Sequence, residues 1–563
     1  MGEQGQVVHV ENVDAQEANG RVHAKTYILV AAVNMIYVAQ LCSVVGSGAL
    51  ARDITAVTGG SGNIVWFTSV ITICTAVLSP SVSQAADYWG RKWLLIFFTI
   101  LGCVGSIVVS RANSPGSVLV GFTFSGLAFG SQALVPTITS EVLPRNYRPY
   151  AQAAVNVSGS LSGFVSLLLG GALTRNSNHE GFRTYWYICA GTFALSAILT
   201  AFLYNPPLRE LQRTLKFTEK LKKLDWIGYA LLTLGLALFC VGLSWSQNPY
   251  PWTDARVSAP FAVGVFFTTA LVLYEWFIKV DGMIHHRLFR GRGRNFPIAL
   301  FCLFVEGLAF FSANNYFPFE TSILFTSDPV VVGAHFGIAF IASIVFAGVG
   351  AAYCWKTKTL RDTTMAAFIS FIIFFVLMAT TTTNTPQNNF WAYPLFLGGG
   401  LALSVTALMT AAQFATPAEL ISTATGLVLC VRNLGATVGL AVYNAVFNQC
   451  VSQNLAPKIA AAALPLGLPE SSIGALIGAL VTANFAGLAE IPGVTEEIIG
   501  VATVALKETY LIAFRYVWVT AGAFSAIAFI ASCFLSNPSE AFNSHIDAPV
   551  EVESIAEADK AKV

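Results

Sequence analysis

The stretch Ile64–Ser110, IVWFTSVITICTAVLSPSVSQAADYWGRKWLLIFFTILGCVGSIVVS, decides the fold. Two apolar runs, 64–86 and 93–110, flank the short polar link Asp87-Tyr88-Trp89-Gly90-Arg91-Lys92. A helix of roughly 20 apolar residues crosses the roughly 30 Å hydrocarbon core of a bilayer, and a helix satisfies its own backbone polar groups there. The stretch therefore reads as two membrane helices joined by a tight, charged turn.

The same ruler, moved outward, finds twelve further segments: 27–46, 116–138, 150–173, 185–204, 226–245, 259–278, 297–319, 334–355, 365–382, 391–412, 424–447 and 510–535. Composition agrees: the 563 residues are 55% hydrophobic and 11% charged, against about a quarter charged in a soluble domain. The expected fold is an all-α polytopic membrane protein with fourteen crossings. Its 31 basic and 30 acidic residues nearly cancel, so nothing points to nucleic acid. Ten scattered cysteines lack the spacing of a disulfide framework or a metal site and read as small buried hydrophobes. Residues 1–26 lack the order of a signal peptide and read as a polar tail.

Lys and Arg mark the cytoplasmic side of short loops. With the N-terminus inside, inner segments hold 22 of the 31 and outer segments 7, which predicts both termini in the cytoplasm, the second tail being 536–563. The uncharged stretch Ile473–Ala489 is Ala- and Gly-rich and bounded by Pro469 and Pro492, and a further crossing would put the C-terminal tail outside. It is therefore assigned to a long extracellular loop with short helices, 448–509, in which Thr495-Glu496-Glu497 looks like a helix start, a re-entrant segment being the alternative.

Ser83-Gln84-Ala85-Ala86-Asp87-Tyr88-Trp89-Gly90-Arg91-Lys92 resembles the second-to-third-helix loop of the major facilitator superfamily, G-x-x-x-D-R-x-G-R-K, with Ser83 and Tyr88 as departures. An Asp at a helix end beside a Gly turn and two cations can latch one helix bundle to another, so Asp87, Gly90, Arg91 and Lys92 are the gating candidates. Four longer stretches, Gly46–Trp66, SEVLPRNYR (Ser140–Arg148), VRNLGATVGLAV (Val431–Val442) and Ile491–Val517, resemble the fungal fourteen-helix branch of trichothecene efflux pumps and siderophore-iron transporters. The resemblance implies two six-helix bundles, 27–204 and 296–535, with a basic linker and two inserted helices between them at 205–295. Antiporter features are missing: Phe122 stands where helix 4 of many antiporters has Arg, and Ser166-Leu167 stands where Gly-Pro is expected before Gly170-Gly171. The pairs Gly126/Gly130, Gly159/Gly163 and Gly435/Gly439 read as close-packing faces.

Polar groups inside the membrane cost free energy unless partnered, which makes them functional candidates. Glu306 lies nine residues past Pro297, about 14 Å along its helix and so near mid-depth, where it could bind a proton or a cationic group. The resemblance implies that the first and fourth helices of each bundle line a central cavity. Those helices supply Asn34, Tyr37 and Gln40; Gln132; Glu306, Asn314 and Asn315; and Ser404, Thr406 and Thr410. Arg432, about 12 Å into its helix, reads as the partner of a helix end or carboxylate, and Arg515 and Glu275 as edge residues that snorkel. The run His285-His286-Arg287 with Arg290, Arg292 and Arg294 reads as an anchor on anionic lipid. No phosphate-cradling loop, catalytic triad, metal site or cofactor site is expected. The function expected is a monomeric secondary transporter of the plasma membrane, with a vacuolar or vesicle membrane as the alternative location, that exports a toxin, drug or secondary metabolite against proton entry. Siderophore import by proton symport and a non-transporting solute sensor are the alternatives.

Overall fold

A computed structural model describes residues 24–60, 64–175, 178–206, 216–246, 250–279, 282–290, 294–326, 328–481 and 491–547. Fourteen helices are long and apolar enough to cross a membrane: α1 Ala24–Ala49, α2 Trp66–Trp89, α3 Arg91–Ser110, α4 Pro115–Glu141, α5 Arg145–Leu173, α6 Gly181–Leu203, α7 Trp226–Trp245, α8 Ala255–Phe277, α9 Asn295–Leu324, α10 Val330–Thr357, α11 Arg361–Ala379, α12 Gln387–Phe414, α13 Ala418–Leu466 and α14 Glu496–Ser532.

The first six helices pack among themselves, as do the last six. Within the first group α1 lies on α5 and α6, and α3 on α4 and α6; within the second α9 lies on α13 and α14, and α12 on α10 and α11. The two bundles meet along two seams, α5 against α10 and α2 against α13. The inserted α7 and α8 form a hairpin whose α7 lies against α2 and α13. Tyr229 of that hairpin donates to Gln84 Oε1 of α2 at 2.6 Å. This is the two-bundle architecture with an inserted pair that the resemblance implies.

A single residue joins α2 to α3. Gly90 adopts φ 95°, a left-handed conformation that glycine reaches without steric cost, and so lets Arg91 start a new helix at once.

The predicted 448–509 loop is mostly helix. The α-helical part of α13 runs unbroken from Ile421 to Ala463, 43 residues, and α14 begins at Glu496, where the Thr495 side chain accepts from the Ile498 amide. Ala-rich sequence after Asn454 continues the helix past its apolar stretch, because good helix formers need no membrane to stay helical. Between the two lies a short helix, Ile473–Val481; residues 482–490, including the rest of the Ile473–Ala489 stretch, are outside the described residues. So are residues 1–23, 548–563 and Arg292.

Candidate functional site

The two glycines Gly307 and Gly435 bring α9 and α13 into backbone contact. A β-carbon on Gly307 would run into the Arg432 carbonyl, and one on Gly435 into the Phe304 carbonyl. This close approach sets two charged neighbours of those glycines face to face. Arg432 Nε donates to Glu306 Oε2 at 2.5 Å, and Nη2 to Oε1 at 2.9 Å, a two-pronged ion pair that joins the two helices. Its geometry offsets the desolvation of both charges, and removing either partner would leave the other uncompensated.

Beside the pair lies a cavity of about 30 Å³ between the bundles, lined by Tyr37, Gln132, Gln152, Leu303, Met409 and Arg432 among others. That is room for one or two water molecules and not for a metabolite. Of the predicted candidates, Tyr37 and Gln132 face this space and Glu306 sits behind Arg432. Gln40 instead ties α1 to α4, its Nε2 donating to the Ala128 carbonyl at 3.0 Å. Asn34 donates to the Val30 carbonyl of its own helix at 2.8 Å. Asn314 and Asn315 are exposed, while Ser404, Thr406 and Thr410 are buried in α12, where Ser404 and Thr410 bond to backbone carbonyls of that helix.

The end of the molecule bearing the α2/α3 turn is closed. Asp87, 3% exposed, accepts from the Thr423 amide at 3.0 Å and the Thr423 hydroxyl at 2.9 Å, at the N-terminus of α13, where the helix dipole favours a negative charge. Arg91 Nη2 donates to the other Asp87 oxygen at 3.2 Å, and Arg91 also pairs with the buried Glu141 of α4. Lys92 donates to Asn205 Oδ1 at 2.5 Å. Deeper in, Gln152 of α5 donates to Gln413 Oε1 of α12 at 3.2 Å.

The C-terminal segment then crosses the same end. Phe542 packs on Phe414, ring centroids 4.8 Å apart, and Asp547 accepts from Arg145 Nη2 at 2.6 Å and Arg148 Nη2 at 2.5 Å. Arg148 also donates to the Gln413 carbonyl at 3.3 Å, so the buried guanidinium ties the first bundle to the second and to the tail. Burial acts to raise the Asp547 carboxyl, but the bonds and charges of Arg145 and Arg148 outweigh it and hold the group below the usual carboxylate range. Glu141, Gln152, Gln413, Thr423 and Asp547 escape a reading by hydropathy. Glu141, Arg145 and Arg148 stand inside the stretch SEVLPRNYR, whereas no pattern marks Asp547.

Glu275 is not an edge residue in solvent. It is 2% exposed, and its oxygens accept from the Met283 and Ile284 amides at 3.1 and 3.3 Å, fixing the turn that follows α8.

Comparison with known proteins converges on one group. The MFS-type transporter ucsD of Acremonium sp is 25% identical over 404 residues, covering 69% of this chain and 65% of the relative. The MFS-type efflux transporter ffsH of Aspergillus flavipes is 27% identical over 387 residues, covering 66% and 65%. The chain thus spans about two thirds of these relatives' length. Among solved structures, the human organic anion transporter MFSD10 aligns with TM-score 0.54 at 14% identity, covering 90% of this chain and 99% of that one. The proton:xylose symporter XylE aligns with TM-score 0.53 at 10% identity, covering 89% and 94%. These two show the major facilitator fold. The profile of the fungal trichothecene efflux pump family (TRI12) matches residues 13–561. The chain belongs to that family.

Proposed function

We propose that the chain is a secondary active transporter of the plasma membrane, working as a monomer with both termini in the cytoplasm, which exports a toxin, drug or secondary metabolite in exchange for protons. The observation that carries the reading is the Glu306–Arg432 pair beside a cavity between two bundles whose seam is closed at one end. A solute site at mid-depth, reached from one side at a time, is what alternating access requires. The latch of Asp87 on Thr423 is the element that must break for the closed end to open. Tyr37, Gln132, Glu306 and Arg432 form the substrate and coupling site in this reading. Asn314 and Asn315 meet substrate on its way out.

Uptake into inside-out vesicles under an imposed pH gradient tests it. Accumulation of solute that collapses with the gradient is expected. No accumulation would overturn the transporter reading in favour of a sensor. Better growth of cells with the gene on toxin supports export; better growth on iron-limited medium would favour siderophore import.

A further inference from the structure

The end of the molecule shut by the Asp87–Thr423 latch carries a second closure, on the other seam. Residues 536–547 follow α14 and cross from one bundle to the other. On the second bundle, Ser536 and Asn295 exchange two hydrogen bonds of 2.8 Å, and Asn537 Oδ1 accepts from the Leu360 and Arg361 amides, both at 3.0 Å, at the start of α11. Phe542, 6% exposed, then seats in an apolar cluster with Cys354 of α10, Leu360, and Ala411 and Phe414 of α12. The very next residues are held by the first bundle. The Asn146 amide donates to the Asn543 carbonyl at 2.9 Å, the Arg145 amide donates to the His545 carbonyl at 3.0 Å, and Asp547 pairs with both Arg145 and Arg148.

One peptide bond therefore separates Phe542, fixed to the second bundle, from Asn543, fixed to the first. Neighbouring α-carbons lie about 3.8 Å apart, so the bundles cannot part at this end with both contacts made. One of the two must let go. The first-bundle contact is also the charged one. Arg148 is 2% exposed, lies over the Phe414 ring at 5.1 Å, and receives its counter-charge from Asp547. With the strap withdrawn, the closed seam would hold a buried guanidinium without a carboxylate, whereas parted bundles would give the same guanidinium water. Loss of the strap thus penalises the closed form more than the open one. Resting on the transporter reading above, we infer that residues 536–547 are an autoinhibitory strap: docked, it holds this end shut against solute loading, and its release is a step separate from breakage of the Asp87–Thr423 latch.

The test uses the full chain in lipid nanodiscs, in a background without other cysteines, with a reporter thiol placed at Met409 for the closed end or at Asn315 for the opposite end. Asp547→Asn frees the strap from the first bundle and Phe542→Ala from the second. Each should speed labelling at Met409 by about tenfold or more, through a shift of the open population. Each should also slow labelling at Asn315, because one end opens as the other closes. Faster labelling at both sites would mean loosened packing and would overturn the inference. So would unchanged labelling at Met409 in both variants. The pair Asn146→Cys/Asn543→Cys works in the opposite direction by pinning the strap to its seat. Once oxidised, it should cut solute accumulation in inside-out vesicles by about tenfold or more, with recovery on reduction, since tethering raises the effective concentration of the docked segment. Full accumulation with the bridge closed would overturn the inference. Absence of accumulation in the wild type would instead sink the transporter reading, and the labelling result would still decide whether the strap closes this end.

Discussion

Asp87 and Thr423 sit 336 residues apart in sequence and meet at the seam between the two bundles, with one carboxylate oxygen accepting from both the amide and the hydroxyl of the threonine. The other oxygen is occupied by Arg91. An amide in place of the carboxylate keeps the shape and removes the charge. Asp87→Asn is expected to weaken closure by about 1–3 kcal/mol, the range for buried charge-assisted bonds. Thiol labelling of a cysteine placed at Met409, applied from the closed end in a background without other cysteines, should speed up roughly tenfold or more.

Neutralising one member of the Glu306–Arg432 pair has unequal consequences for folding. Arg432→Ala strands a buried carboxylate and is expected to cost about 3–5 kcal/mol, whereas Glu306→Gln leaves a guanidinium with partial access to the cavity and costs less. Thermal unfolding in detergent should rank wild type above Glu306→Gln above Arg432→Ala. Glu306→Gln, though folded, should show no pH-driven flux, and unchanged flux at every pH would remove Glu306 from the mechanism.

Gly435→Ala places a methyl group against the Phe304 carbonyl. Forcing α9 and α13 apart is expected to cost about 1–3 kcal/mol and to lengthen the Glu306–Arg432 bonds. Transport should fall by more than the loss of folded protein explains, which flux per folded molecule measures.

Asp547 ionises more readily than an ordinary carboxylate, so its contribution to docking is present above its free value and is lost only as pH falls through the depressed bound value. Docking of the 543–547 segment should hold steady from about pH 5 upward. Asp547→Asn should release it at all pH values, read as increased protease cleavage after residue 542.

The crossings were legible because apolar length is a local property of the chain, whereas their grouping into two bundles came from the resemblance that the Asp87–Lys92 link and the four longer stretches carry. Gly90 and Asp87 were legible because a tight turn and a capping charge leave a compact motif. Glu306 and Arg432 were each visible as charges at mid-depth, but their pairing was not, since it depends on Gly307 and Gly435 setting the distance between helices far apart in sequence. Asn314, Asn315 and Gln40 were chosen by depth and helix number, which do not give the azimuth of a side chain. In the 448–509 segment the helix start at Thr495 was legible as a capping pattern, whereas the continuation of α13 to Ala463 was not, because an Ala-rich helix that loses its apolar stretch keeps its hydrogen bonds.

Helix α13 carries Thr423 near one end and Arg432 about 14 Å farther on, and its α-helical part ends at Ala463, about 46 Å beyond Arg432. A rod so built is a lever arm: a tilt about Arg432 that lifts Thr423 off Asp87 by 2 Å sweeps the far tip through roughly three times that distance. Freeing a single carboxylate contact at one surface would thereby be broadcast, enlarged, to the opposite one.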